Sequence, residues 1–427
     1  MAKPYFSHLF DVNYSAGDMS PALDYLETLN HFGRAHYQKR PRGTIRSVPE
    51  DFRVHEVLGF ELSGDGPHVW LHVRKRLLNT VDVIRILAKW CGLEVRDVGY
   101  SGLKDRNAVT TQWVSLPMEL TSRLPLMNDF ELGKDGFEII EMEYHQKKLK
   151  RGVHHANYFQ IVIRFDEEDH EQTESLLQSI KSDGVPNYFG EQRFGRNGNN
   201  LRSAERYFTG ELKKPTRQLR GFMLSAARSW LFNLVLSQRV ADGSWNTALP
   251  GDAIQFDGSG SFFLYDETDI SVRKRVNGKV CHPTGPLWGA GEMSVGEPIE
   301  RFEKECLEEM EVFCTGLENN GLKHQRRALR VVLPDLSWRW LSVDAHSRLR
   351  DIDADADSGN ILWNKHSQNY HGRNEHSDAN EGNLAIKLSF SLPGGCFATS
   401  VLREFIEGDT LPRIKQPLHR SEGAGLG

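Results

Sequence analysis

The sequence contains few cysteines and no long hydrophobic run. Its 427 residues include five cysteines, which are widely spaced and form no Cys-x-x-Cys pair. This pattern argues against both a disulfide framework and a structural zinc site. No apolar stretch reaches the roughly 20 residues that a membrane helix needs, and the first residues lack the charged-then-apolar pattern of a secretory signal. We therefore expect a cytoplasmic protein with reduced cysteines.

The sequence also lacks an overall excess of positive charge. Its 53 Lys and Arg residues are outnumbered by 58 Asp and Glu residues, so the formal net charge is -5. Basic residues nevertheless concentrate in three runs, at 34–53, 145–155 and 193–228, and acidic residues concentrate elsewhere, notably at 297–313. Any one run can be a solvated face. Three such runs favour a basic surface that binds a polyanion.

The length favours two domains, because a single core seldom grows this large. Short alternating runs followed by a capped helix, a further strand and another helix are typical of an α+β sheet with helices on one face. Helical patterns then dominate before strand-like residues return. This order predicts a first domain that is interrupted by a second. The segments concerned are strands within 43–73, helix 79–92, strand 158–165, helix 168–181, helices 218–240 and 299–317, and strands 331–343 and 384–390.

One carboxylate stands out in the segment 99–116, which reads GYSGLKDRNAVTTQWVSL. Asp105 lies between Lys104 and Arg106 at a glycine-bearing turn that leads into a strand-like run. Opposite charges nearby favour the ionised form of a carboxylate, and an ionised carboxylate can act as a nucleophile or a base. An isolated Lys-Asp-Arg triplet is more often a solvated loop. The turn alone therefore marks only a candidate catalytic site.

Four motifs together resemble the TruD family of tRNA pseudouridine synthases. In order they are PEDF at 49–52, GLKDRNAVTTQW at 102–113, GVPNYFGEQRFGRNGNNL at 184–201 and PGGCFATSVLRE at 393–404. The similarity covers roughly residues 43 to 405. NYFGEQRFG is the most specific part of it.

The resemblance implies an α+β fold, in which a pseudouridine synthase-type catalytic domain with a mixed, mainly antiparallel sheet is interrupted by an α/β insertion domain. The catalytic domain is expected at 43–183 and 333–410, and the insertion domain at 184–332. Residues 1–42 then form an N-terminal extension. Residues 344–383, which are rich in Asp, Asn, Ser, His and Gly, are expected to be a flexible insertion, and 411–427 a disordered tail.

The resemblance also implies an activity, the isomerisation of uridine to pseudouridine in tRNA, typically at position 13 of the D arm. The expected partner is tRNA, with no cofactor, no metal, no membrane and no obligate protein partner. The alternative is an RNA-binding or RNA-remodelling protein without activity. A phosphate-binding enzyme built on the glycine-rich segment 190–198 is disfavoured, because no P-loop lysine and serine or threonine follow at the required spacing.

Five residues match positions with roles in the family. The family's nucleophile corresponds to Asp105, its aromatic uridine contact to Phe52 and its substrate-binding asparagine to Asn157. Phe159 and Phe397 fit further substrate contacts. Taken singly, the phenylalanines are more often core residues and the asparagine turn chemistry, and only their motifs favour substrate contact. The residues leave open whether the carboxylate attacks the ribose, adds to the base or first acts as a base on the sugar.

Three cations complete the expected site. Arg46 takes the position, six residues before the PEDF phenylalanine, where the family usually has a lysine. The charge is kept, but the geometry of its pairing with Asp105 changes, because a guanidinium is a planar fork. Lys104 and Arg106 need not both tune the carboxylate, and at least one of them is expected to hold an RNA phosphate.

Overall fold

The structure is a computed structural model that describes residues 25–36, 39–167, 169–341 and 385–407. The expected flexible insertion at 344–383, the expected tail at 411–427 and most of the N-terminal extension lie outside these ranges. Within them the chain forms fifteen strands and nine α-helices. No helix in these ranges is both long enough and apolar enough to cross a membrane.

The strands in chain order are β1 Arg42–Ile45, β2 Phe52–Val57, β3 His68–Arg76, β4 Gly99–Tyr100, β5 Val109–Pro117, β6 Gly136–His145, β7 Ala156–Glu167, β8 Val185–Pro186, β9 Ala253–Phe256, β10 Phe262–Leu264, β11 Cys281–Leu287, β12 Gln325–Ala328, β13 Arg330–Val331, β14 Ser337–Leu341 and β15 Ala385–Pro393. The helices are α1 Tyr25–His31, α2 Thr80–Cys91, α3 His170–Asp183, α4 Asn199–Phe208, α5 Arg217–Ala241, α6 Ile270–Asn277, α7 Glu297–Cys306, α8 Glu311–Asn319 and α9 Ala398–Phe405.

A nine-stranded sheet organises the first unit of the fold. Its order is β14-β15-β7-β2-β5-β3-β6, with β1 added to β7 and β4 added to β5. The neighbours are antiparallel except for β2 and β5, which run parallel. The sheet is therefore mixed and mainly antiparallel, and the predicted α+β class is confirmed.

Helices pack against this sheet through regular apolar spacing. In α2 the residues Val83, Ile84, Leu87 and Ala88 are buried on one face and join the core beneath β3 and β5. The helix ends at Gly92, whose φ of 69° lies in the left-handed region that glycine adopts without strain. Helices α3 and α9 contribute to a second core on the sheet, around β7 and β15. After α2 the chain leads through β4 to the turn that precedes β5.

A second, mainly helical unit surrounds Trp230 of α5. Helices α4, α5, α7 and α8 share one core, and a four-stranded sheet of order β10-β9-β11-β12 packs beside α5. Helix α1 joins the same core, where the rings of Tyr25 and Trp230 meet edge to face at 5.2 Å between centroids. Helix α1 of the N-terminal extension therefore packs on this unit.

The two units are joined where the chain passes between them. Strand β8 pairs with β13, so Val185 and Val331 lie opposite each other. The expected single helix over 299–317 is two helices in the structure. Leu307, between them, has a non-helical φ of -112° and places its side chain in the core of the second unit.

Candidate active site

The turn that carries Asp105 is fixed by hydrogen bonds from the sheet and helix beneath it. Gln112 Nε2, on β5, donates to the carbonyl of Gly102 at 3.3 Å. The backbone N–H of Lys104 donates to Thr80 Oγ1 at 2.9 Å, and Thr80 in turn donates to Gln112 Oε1 at 2.7 Å. Thr80 is the first residue of α2. The helix start and the central strand thus hold the turn together.

Arg46 is the cation that pairs with Asp105. Its Nη2 donates to Asp105 Oδ2 at 2.7 Å, and its guanidinium lies 3.9 Å from the centroid of the Phe52 ring. The Arg46 side chain is 7% exposed and that of Asp105 is 31% exposed. Burial lowers the pKa of Arg46, and the nearby Asp105 carboxylate opposes that change. A buried cation therefore anchors a carboxylate that solvent still reaches.

The backbone at Arg46 is itself unusual. Its φ is 58°, in the left-handed region that few non-glycine residues adopt. The residue follows β1 directly and precedes the short helical turn Pro49–Asp51. Such conformations cluster at functional sites, where the surroundings hold them in place. Here the ion pair with Asp105 and the stacking on Phe52 hold Arg46 in this conformation.

Phe52 and Phe159 form an aromatic layer under this ion pair. Their rings meet edge to face at 6.2 Å between centroids, and Phe159 stacks on Phe390 at 5.5 Å. Both side chains are buried and belong to the core around β7 and β15. The structure therefore places both as core residues, and the ring of Phe52 supports Arg46.

Lys104 faces a different carboxylate. Its Nζ lies 2.9 Å from Glu56 Oε2 and also donates to Asn157 Oδ1. Asn157 Nδ2 lies 3.3 Å from His154 Nε2. Burial, reinforced by the charge of Lys104, lowers the pKa of His154. These side chains form a polar network, the Lys104 network, next to the ion pair of Asp105.

Arg106 and Phe397 make their contacts elsewhere. Arg106 is exposed, and its Nε donates to the carbonyl of Leu77 at 3.2 Å. Phe397 is half-buried at the start of α9, where its ring meets Phe189 at 5.9 Å and the guanidinium of Arg193 lies 5.5 Å from it. Phe397 therefore lies at the junction of the two units, and Arg106 turns away from the carboxylate.

Comparison with models of protein families shows which family the chain belongs to. The model of the family described as tRNA pseudouridine synthase D (TruD) matches residues 34–203 and 198–405. The chain belongs to the TruD family. The resemblance carried by the four motifs is thereby confirmed.

Curated relatives within the TruD family agree over most of their length. The tRNA pseudouridine synthase D of Methylococcus capsulatus is 40% identical over 379 residues, which is 88% of this chain and 94% of the relative. That of Nitrosococcus oceani is 39% identical over 373 residues, covering 87% and 92% respectively. Both relatives are matched nearly from end to end.

A solved structure supports the TruD fold. The crystal structure of a candidate tRNA pseudouridine synthase D from Methanosarcina mazei superimposes with a TM-score of 0.63 at 20% identity. The match covers 87% of this chain and 95% of that one. At this identity the likeness concerns the fold alone.

Two charged residues of this TruD site were missed by sequence reasoning. Lys75 donates from Nζ to the carbonyl of Asp105 at 2.6 Å. Glu56 forms an ion pair with Lys104 and accepts a hydrogen bond from the backbone N–H of Trp113. Glu56 lies on β2, whose burial alternates, and Lys75 on the alternating second half of β3, each in phase with the buried apolar positions. A charged residue at an inward position of a strand is the signal that would have found them.

The first two basic runs differ in what their side chains do. In the first run, Arg34 and Arg40 donate to main-chain carbonyls of α9 and the residue that follows it, and Arg46 pairs with Asp105. These guanidiniums are engaged inside the protein. In the second run Lys147, Lys150 and Arg151 are exposed. The second run is therefore better placed to meet phosphates.

Proposed function

We propose that this chain converts uridine to pseudouridine at position 13 of the D arm of tRNA, with Asp105 as the carboxylate that acts on the target nucleoside. Membership of the TruD family makes the chain a tRNA pseudouridine synthase, which is an isomerase. The observation that carries the role of Asp105 is its ion pair with Arg46 on a turn fixed by Thr80 and Gln112.

The reaction requires one positioned carboxylate. The bond from N1 of the base to C1′ of the ribose breaks, a bond from C5 to C1′ forms, and the proton on C5 is lost while N1 gains one. The atoms and electrons balance within the nucleoside. An ionised carboxylate can serve as the nucleophile in such a step. Arg46 fixes one oxygen of this group through a charge-assisted hydrogen bond and leaves the other oxygen free of that contact.

The surroundings of Asp105 suit a base that has left its stack. An enzyme that acts on a base inside folded RNA must extrude it, and apolar contacts offset the cost of unstacking. Leu103, on the turn that carries Asp105, is 62% exposed, and Val48 and Val153 on the neighbouring loops are exposed as well. The Lys104 network adds amide and ammonium groups that can hydrogen-bond a pyrimidine edge.

The decisive experiment replaces Asp105 with asparagine. Asp105→Asn keeps the shape and can still contact Arg46 but removes the charge and the nucleophile. We expect the release of tritium from C5 of uridine in tRNA to fall at least about 1000-fold, with the Kd for tRNA changed by less than about threefold. Asp135→Asn, at an exposed aspartate, is the matched control and should behave as wild type.

Two results would contradict the proposal. Wild-type conversion by Asp105→Asn would remove the assigned role of this carboxylate. Tight tRNA binding by the unmodified protein without any new pseudouridine would favour an RNA-binding protein without activity.

The position in tRNA is tested with the substrate. A tRNA transcript with cytidine in place of uridine at position 13 should release no tritium, whereas changes at other uridines of the D arm should leave the rate intact. Release that persists from the altered transcript would place the target elsewhere.

A further inference from the structure

We propose that Lys75 is a positioning residue for the catalytic turn, holding the main-chain carbonyl of Asp105 from the sheet and adding a second positive charge beside that of Arg46. This inference rests on the proposed role of Asp105. It concerns a residue that none of the four sequence motifs contains.

The position of Lys75 is unusual for a lysine. It lies on β3 opposite Thr110 of β5 and Phe137 of β6, and it is 0% exposed. Its buried neighbours at alternate positions along the strand are the core residues Leu71 and Val73. Lysine is almost never fully buried unless a partner compensates the lost hydration. The compensation here must come from what its ammonium group contacts.

That contact is the backbone of the candidate nucleophile. Lys75 Nζ donates to the carbonyl oxygen of Asp105 at 2.6 Å. The ion pairs found among the described residues give Lys75 no carboxylate partner, whereas Arg46 takes the Asp105 side chain. A buried ammonium bound to one main-chain oxygen is a poor way to stabilise a fold, since an apolar side chain would avoid the desolvation cost. Its placement suits a role at the turn.

Together with its neighbours, Lys75 completes the set of bonds that hold the turn. The carbonyl of Gly102 is held by Gln112, the N–H of Lys104 by Thr80, and the carbonyl of Asp105 by Lys75. All three side chains come from buried positions on β3, β5 and the start of α2. A displacement of about 1 Å at a reacting group can lower a rate about 100-fold. Removing one of these bonds should therefore lower kcat.

The positive charge that Lys75 places beside Asp105 depends on pH. Burial lowers its pKa to about 8; the Asp105 carboxylate favours the ammonium form, and Lys104 opposes it. Its neighbours across the strands, Thr110 and Phe137, carry no charge. Lys75 is therefore positive below about pH 8 and neutral above it, where it no longer adds positive charge beside the Asp105 carboxylate.

The test is Lys75→Met, which keeps the approximate length of the side chain and removes its charge and its donor. We expect kcat to fall about 10- to 100-fold while KM for tRNA changes less than about threefold. In wild type, kcat should decline as pH rises through about 8, and this decline should be absent in Lys75→Met. Lys89→Met, at an exposed lysine of α2, should match wild type in rate and in pH profile.

A second variant separates the charge from the hydrogen bonding. Thr80→Val removes the bond to the N–H of Lys104 but leaves the ammonium group, so it should lower kcat and keep the decline near pH 8. Lys75→Met with the wild-type kcat and the wild-type pH profile would overturn the proposal. If Lys75→Met does not fold, the wild-type profile decides, because a kcat that stays constant from about pH 7 to about 9.5 also overturns it.

Failure of this inference is distinguishable from failure of the proposed function. A wild-type rate in Asp105→Asn removes the catalytic role of the carboxylate itself. Loss of activity in Asp105→Asn together with an unaffected Lys75→Met removes only the positioning role of Lys75.

Discussion

At Asp105, the arrangement of the surrounding cations governs how the carboxylate is presented. Arg46 binds one side-chain oxygen, and Lys75 binds the main-chain carbonyl of the same residue. Lys104 forms an ion pair with Glu56, whose side chain is fully buried, and Arg106 donates a hydrogen bond to the carbonyl of Leu77. Consecutive side chains on an extended turn point in different directions, so neighbours in sequence need not meet the carboxylate. The pair with Arg46 forms because β1 and the turn before β5 approach in space.

The exposed leucine next to this site provides a test at the scale of one side chain. Leu103→Ala should lower kcat/KM for tRNA about tenfold, since partly burying a leucine against RNA is worth a little over about 1 kcal/mol. The free energy of unfolding should change by less than about 0.5 kcal/mol, because the side chain is exposed in the free protein. Steady-state kinetics and denaturant unfolding measure the two quantities.

Leu120→Ala is the matched control for this substitution. Leu120 is 57% exposed, close to the exposure of Leu103, but lies on a separate short helical turn. Its kinetics should equal those of wild type. Equal kcat/KM values for Leu103→Ala and wild type would show that the RNA does not touch this leucine.

Among the elements, α5 ends in a buried ion pair of the second unit. Arg239, near its end, binds both carboxylate oxygens of Asp252 at 2.8 and 3.0 Å and also donates to the carbonyls of Ser244 and Thr247. Both charged side chains are almost completely buried. The pair thus connects the end of α5 to the loop before β9. A buried pair of this kind is costly to break, because one charge is left without its partner.

Breaking this pair should destabilise the second unit. Asp252→Ala leaves the buried guanidinium of Arg239 without its carboxylate, and we expect the free energy of unfolding to fall by about 3–5 kcal/mol. Glu297→Ala breaks an exposed pair with Arg301 and should cost less than about 1 kcal/mol. Urea unfolding followed by tryptophan fluorescence compares the two. Similar losses for both variants would contradict the role assigned to the buried pair.

Over the whole molecule, a net charge of -5 coexists with a local basic surface. Exposed cations lie at 147–151, in the loop that leads to Asn157 and the Lys104 network. Acidic residues cluster instead on α7 and the turn after it. A polyanion is attracted to the first region and repelled by the second, so we expect this charge separation to orient tRNA towards the proposed site.

Removing two of these exposed cations tests the orientation. Lys147→Ala with Lys150→Ala should raise KM for tRNA severalfold, leave kcat unchanged and flatten the rise of KM with salt, because fewer counterions are released on binding. Arg301→Ala with Lys304→Ala removes two cations from the acidic helix α7 and should not raise KM. A larger effect in that control pair would place the RNA on the other unit.

The order of strands and helices was largely predictable. The helix that became α2 shows apolar residues at helical spacing and ends at a glycine, and the strand that became β7 is a continuous run of β-favouring residues. The break at Leu307 was not predictable, because the apolar residues keep their helical spacing across it. The structure places Leu307 in the core around Trp230 of α5. The two-domain organisation with bounds at 184 and 332 stays a prediction, which the pairing of β8 with β13 supports.

Local patterns in the chain were sufficient for the family, the α+β class and the choice of Asp105 as the candidate carboxylate, because motifs and periodicity are properties of neighbouring residues. The partners of that carboxylate depend on long-range approach. Arg46 lies 59 residues from Asp105 and Lys75 lies 30 residues from it. The family resemblance indicated the pair with Arg46, but no sequence pattern indicated the contact with Lys75. The mixed sheet brings the three together, and burial gives Lys75 a charge that responds to pH near 8.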